Sequence, residues 1–87
     1  MFKNGYILRL KKNILSEKVG TLAYIYDYNS NGDFRLITEN GINLGLFAQE
    51  YEQSFEYIED SGVIYYFQDS TTFQDDISHG WLTNIFG

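Results

Sequence analysis

The chain has no cysteine and no proline. Without thiols it has no disulfide framework and no thiolate metal site, which suits a reducing compartment. Without proline, every turn must be built from Gly, Asn, Asp and Ser. No apolar run approaches the ~18–20 residues of a membrane-spanning helix. Ile7, Leu8 and Leu10 are interrupted by Arg9 and followed by Lys11 and Lys12. The pattern of a secretory signal is also missing. Together these absences predict a soluble protein of the cytoplasm that does not engage a membrane. Basic residues are few: six, against twelve carboxylates and a single histidine, for a formal net charge of -6. They are also segregated, with a balance of +4 over residues 1–18 and -10 over residues 19–87. Phosphate recognition needs clustered Lys and Arg, so direct nucleic-acid binding is disfavoured over most of the surface.

Apolar bulk is abundant. Of the 87 residues 44% are hydrophobic and 18% aromatic, with eight tyrosines and seven phenylalanines. The length fits one domain, residues 1–87, and the aromatic content argues against disorder.

Strand signals dominate the order of elements. Tyr6–Leu10 reads as a first strand, followed by a long polar loop from Lys11 to Lys18 in which Ile14 and Leu15 tuck inward. Thr21–Tyr28, Phe34–Thr38 and Ile42–Leu46 form a meander, joined by the turn dipeptides Asn31-Gly32 and Asn40-Gly41. Phe47–Glu52 suits a helical turn, Phe55–Ile58 a strand, and Val63–Phe67 a further strand after Ser61-Gly62. At the end the period changes: Phe73, Ile77, Trp81 and Ile85 recur every four residues. Thr71 and Gln74 match a capping box, which predicts a short helix near residues 71–79 and an apolar tail that packs back. Five or six short antiparallel strands in so short a chain predict a small barrel, mainly β, with a short C-terminal helix.

Gly20-Thr21-Leu22-Ala23-Tyr24-Ile25-Tyr26, followed by Glu39-Asn40-Gly41-Ile42-Asn43-Leu44-Gly45 and Phe47, resembles small SH3-like barrel proteins of phages and mobile elements of Gram-positive bacteria. The resemblance implies the SH3-like fold and a phage or plasmid origin. It brings no functional residues with it.

Four constellations bear on chemistry. Asp27-Tyr28-Asn29-Ser30-Asn31-Gly32-Asp33-Phe34 imitates the first half of an EF-hand calcium loop, but Thr38 stands where the bidentate Glu belongs, so a hairpin turn is expected. Asp75 and His79 share a helical face with Ser78 nearby, without further ligands for a metal. Glu50, Glu52, Glu56, Glu59 and Asp60 form an acidic run read as a solvated or docking surface. Leu22, Tyr24, Tyr26 and Tyr28 alternate along one strand face. A two-residue Asn31-Gly32 turn would put Tyr28 opposite Arg35 and Tyr26 opposite Ile37, leaving the stripe outward over a core of Ala23, Ile25, Phe34 and Leu36. An odd-length loop would bury the tyrosines instead. The outward stripe, with Arg35 and the acidic run, is the expected protein-binding surface.

With no phosphate loop, zinc pattern or nucleophile motif, no enzyme activity and no cofactor are expected. A non-enzymatic phage or mobile-element accessory protein that binds a protein partner is the primary expectation. The alternative is a small acidic inhibitor of a nucleic-acid-handling host enzyme, of the anti-CRISPR or anti-restriction type.

Overall fold

The first strand, β1 (Tyr6–Leu10), is the second-outermost strand of one antiparallel sheet. The computed structural model describes residues 1–87, and the sheet has five strands in the order β4-β3-β2-β1-β5. The others are β2 (Leu22–Tyr28), β3 (Phe34–Thr38), β4 (Asn43–Phe47) and β5 (Phe55–Asp60). A 3-10 turn over Gln49–Ser54 joins β4 to β5, and two helices follow, α1 (Ser70–Ser78) and α2 (Thr83–Phe86). No helix is long and apolar enough to cross a membrane.

The sheet curls but does not close, so the expected closed barrel is not formed. β4 and β5 are opposite edges with no ladder between them. Their apolar side chains meet instead: the Phe47 and Phe55 ring centroids lie 5.4 Å apart, and Phe34 reaches both rings, at 6.0 and 5.6 Å. Aromatic edge-to-face packing fills the gap that main-chain pairing would otherwise span. Leu8, Leu10, Ala23, Ile25, Leu36 and Leu44 complete this first core inside the curl.

Three irregularities set the register, one of them at Ile58 of β5, where Ile7 faces Glu59 and Leu8 faces Tyr57. Tyr28 faces Phe34 and Asp27 faces Arg35, whereas Ile25 faces Leu36 and Tyr24 faces Ile37, so Tyr26 is the extra residue. In β4, Leu36 faces Gly45 and Ile37 faces Asn43, leaving Leu44 unpaired. Gly45 takes the positive φ, 82°, that such a bulge requires and that a side chain would strain.

The second face of the sheet is covered by residues 63–86. Val63–Phe67, expected as a strand, is extended but unpaired, because the chain leaves the sheet after β5 and crosses over its face. Its alternation survives without a ladder: Tyr65 is buried, while Ile64 and Tyr66 are exposed. The α1 helix starts earlier than the Thr71 capping box implied. Asp69 is the N-cap, its side chain accepting from Thr72 N–H at 2.8 Å. Phe73 is fully buried, and Ile77, Trp81 and Ile85 pack partly buried beside it, as their spacing predicts.

The Lys11–Lys18 loop is pinned by its one buried carboxylate. Glu17 accepts from the Thr38 hydroxyl and from the Asn40 side-chain amide at 3.2 Å, tying the loop to the β3–β4 turn. Ile14 packs against the first core as expected, but Leu15 points into solvent and holds a φ of 53°. The left-handed conformation costs an L-residue about 1–2 kcal/mol, and Leu15 recovers no burial in exchange. Leu15→Gly should therefore raise stability by about 0.5–1 kcal/mol in a urea melt, offset in part by the freer unfolded chain. A lower midpoint would mean the leucine makes a contact that matters.

Candidate functional site

The tyrosine stripe does not face solvent. Tyr24 and Tyr26 are fully buried, at 0% and 1% exposure, which corrects the expected outward face. The expected core of Ala23, Ile25, Phe34 and Leu36 is present, but the bulge at Tyr26 sets Tyr28 opposite Phe34 of that core and so takes it out of line with Tyr24 and Tyr26. The opposite face is buried too, because the C-terminal segment lies across it. Tyr26 stacks on Phe73 at 4.0 Å, and Tyr24 meets Trp81 edge-on at 5.4 Å. The expected two-residue turn is also replaced. Asn29 N–H donates to Asp33 O, so the loop encloses three residues, Ser30 to Gly32, and the bulge at Tyr26 then shifts the pairing again. Tyr28 alone of the three remains accessible, at 36%. Arg35 is occupied: it pairs with Asp27 at 3.5 Å, and its guanidinium lies 5.5 Å above the Phe67 ring.

The buried hydroxyls are all satisfied, one of them by the covering segment, one within the sheet and one inside the segment itself. Tyr24 donates to Val63 O at 2.5 Å, Tyr26 to Asn43 Oδ1 at 3.0 Å, and Tyr65 to Asp76 Oδ2 at 2.5 Å. Burial pushes Tyr24 up to about 12, with the Asp60 charge adding to the effect. Burial raises Tyr26 as well, and Tyr65 is raised by burial and then by its bond to Asp76. The native state therefore favours three neutral phenols. The Tyr24 contribution is complete below the unfolded value near 10 and is lost as pH rises through about 12, and those of Tyr26 and Tyr65 are likewise lost only above their unfolded value. An alkaline titration should show phenolate absorbance and Trp81 emission changing together over that window as the C-terminal segment detaches. Eight tyrosines ionising near pH 10 under an unchanged Trp81 spectrum would contradict this anchoring.

The acidic run divides between surfaces. Glu50 is exposed on the 3-10 turn. Glu52 accepts from Phe2 N–H at 3.0 Å and faces the Met1 ammonium at 3.9 Å. Glu56 pairs with Arg9 at 3.2 Å. Along β5, Glu59 lies opposite Ile7 of the second core, whereas Asp60 lies opposite Tyr6 at the end of the ladder, its Oδ1 accepting from Gly62 N–H at 3.0 Å. The run and the stripe therefore do not make one surface.

Asp75, Ser78 and His79 do not form a set. His79 Nδ1 lies 2.6 Å from the main-chain oxygen of Asp75, and the Ser78 hydroxyl donates to Gln74 O, so neither side chain addresses the other. In the calcium-like loop, Asn29 Oδ1 accepts from Asn31 and Asp33 N–H at 2.9 and 3.1 Å, while Asp33 Oδ1 accepts from Gln49 N–H. These carboxylate and amide oxygens hold the turn itself. No group of three or more His, Asp or Glu side chains is arranged to hold a metal ion.

What the fold does present is an open groove of about 420 Å³ lined by Met1, Phe2, Tyr6 and Tyr57. Tyr57 is half exposed and packs edge-on against Tyr6, with centroids 4.9 Å apart. The pair is legible in retrospect. Tyr6 alternates with Leu8 and Leu10, and Tyr57 with Phe55, so all five share a face once β1 and β5 are adjacent. The adjacency itself, across about fifty residues of sequence, had no local signal.

The chain matches no known family model, no curated protein and no solved structure.

Proposed function

We propose that this chain is a non-enzymatic protein-interaction module that makes contact along β5 and the adjoining Tyr6–Tyr57 groove. One observation carries the reading: Tyr57, half exposed and packed on the half-buried Tyr6 of β1, sits on a strand whose outer edge is unpaired. Tyrosines at the margin of an apolar patch supply large, rigid contact area, and free strand edges recruit other chains. In this reading the curled sheet is a half-open SH3-like barrel. The strand order, the 3-10 turn between β4 and β5 and the Phe47–Phe55 contact all support it. The phage or mobile-element origin and the host cytoplasm belong to the same proposal and rest on the sequence resemblance.

The inhibitor alternative draws on Glu50, Glu59 and Asp60, which are exposed and pair with no Lys or Arg. It is the weaker reading, because a phosphate mimic needs its charges aligned on one surface, and here they are spread over two faces and a turn.

A photo-crosslinking amino acid placed at Tyr57 tests the proposal, with the same group at exposed Gln74 on α1 as control. Discrete adducts from position 57 in a Gram-positive host, absent from position 74, are expected. Equal labelling at both positions, or none at 57, would sink it. Adducts that consist of a nucleic-acid enzyme and vanish at moderate salt would favour the inhibitor.

A further inference from the structure

We propose that the β5 edge accepts an extended cationic peptide segment as an added strand, with a lysine or arginine side chain seated against Tyr6 and Tyr57. This deepens the reading of that edge as the contact surface and rests on it.

The main chain supplies the first argument. Lys11 N–H donates to Ser54 O at 3.0 Å, so Ser54 and, by alternation, Glu56 turn their main-chain groups toward β1. Phe55 and Tyr57 turn theirs the other way. The Phe55 N–H is taken by Glu52 O, but no turn or loop hydrogen bond reaches Tyr57. An incoming strand would find its donor and acceptor there.

Side chains supply the second. The groove of about 420 Å³ is open to solvent and lined by Met1, Phe2 and two Tyr rings, so it suits a long aliphatic stem with a polar head. Tyrosine faces attract cations through their quadrupole. Beside the groove, β5 carries Glu59 and Asp60, carboxylates that pair with no Lys or Arg, although Asp60 Oδ1 accepts from Gly62 N–H at 3.0 Å. Glu52 is already engaged by the Met1 ammonium, so the charge left for a cationic strand is that of Glu59 and Asp60 on β5. An acidic segment or a phosphate backbone would meet Asp60 and Glu59 as repulsion, and residues 19–87 carry a balance of -10 around them.

The test is a fluorescence-anisotropy titration of the full chain with a labelled peptide of alternating Lys and Val. The same peptide N-methylated on alternate amides and a Glu-for-Lys version serve as companions. The unmodified peptide should bind, and both companions should fail. Tyr57→Ala should weaken binding by about tenfold or more, and Asp60→Asn by several-fold with a shallower salt dependence. Should Tyr57→Ala not fold, amide chemical-shift changes on the unaltered protein must map to β5 and Tyr6. Equal binding of methylated and unmodified peptides, or indifference to Tyr57→Ala, would reduce the effect to diffuse charge and overturn the proposal. Peptide silence alongside persistent crosslinks at position 57 would overturn the cationic strand and leave the interaction reading standing. A dimer by sedimentation that Tyr57→Ala dissociates would assign the edge to a second copy instead.

Discussion

Tyr26→Ala should leave the domain barely folded. The ring is 1% exposed, stacked on Phe73 at 4.0 Å and packed on Phe67 at 5.3 Å, and its hydroxyl satisfies Asn43. Truncating so large a buried aromatic costs about 3–5 kcal/mol. A small domain has only about 5–10 kcal/mol in total. The residue is also the bulge in β2, so the cavity would open where the sheet is already irregular. Circular dichroism in a urea series should show the midpoint collapse, with Trp81 emission shifting to the red. A variant melting close to the parent would mean that the C-terminal segment does not seal this face, and the stripe would return as a surface.

Glu17→Ala should produce the second largest loss, about 2–3 kcal/mol, by stranding the Thr38 hydroxyl and the Asn40 amide beside a void. Thr38 is itself fully buried and accepts from the Asn40 and Ile42 N–H groups, so the β3–β4 turn depends on the same carboxylate. Glu17→Gln keeps the shape and one acceptor and should recover more than half of the loss. Hydrogen exchange at Gly41 and Ile42 should accelerate in the alanine variant. If the two variants melt alike, the carboxylate contributes no more than its bulk.

Local signals were enough to locate most elements. Alternation and the Asn-Gly turns placed β1 to β4, and a four-residue period placed Phe73 and its neighbours on one helix face. What failed was everything that depends on a partner far away in the chain. Val63–Phe67 has strand composition but no strand beside it. The alternation of β2 and β3 by itself carries no sign of what covers the Tyr24–Tyr26 face. The helix was expected to pack somewhere, and the sheet face it lands on is the one that the tyrosines occupy. Glu17 sat in a run of charges and polar residues with nothing to single it out. Its burial follows only from the approach of Thr38, twenty-one positions along. The Tyr6–Tyr57 groove has the same character, being made of two strands joined late.

The segment over the second face makes no main-chain hydrogen bond to the sheet; residues 63–87 are held by ring contacts and by the Tyr24 hydroxyl. All five strands lie before residue 61, so a ribosome releases the whole sheet before its cover. For that interval Tyr24, Tyr26 and Ile37 are bare on a nascent chain with two unpaired edges, the condition in which small β proteins stick to one another. Yield in cells should accordingly depend on how fast the last residues follow, and any fusion that delays them will be felt as insolubility before it is felt as lost activity.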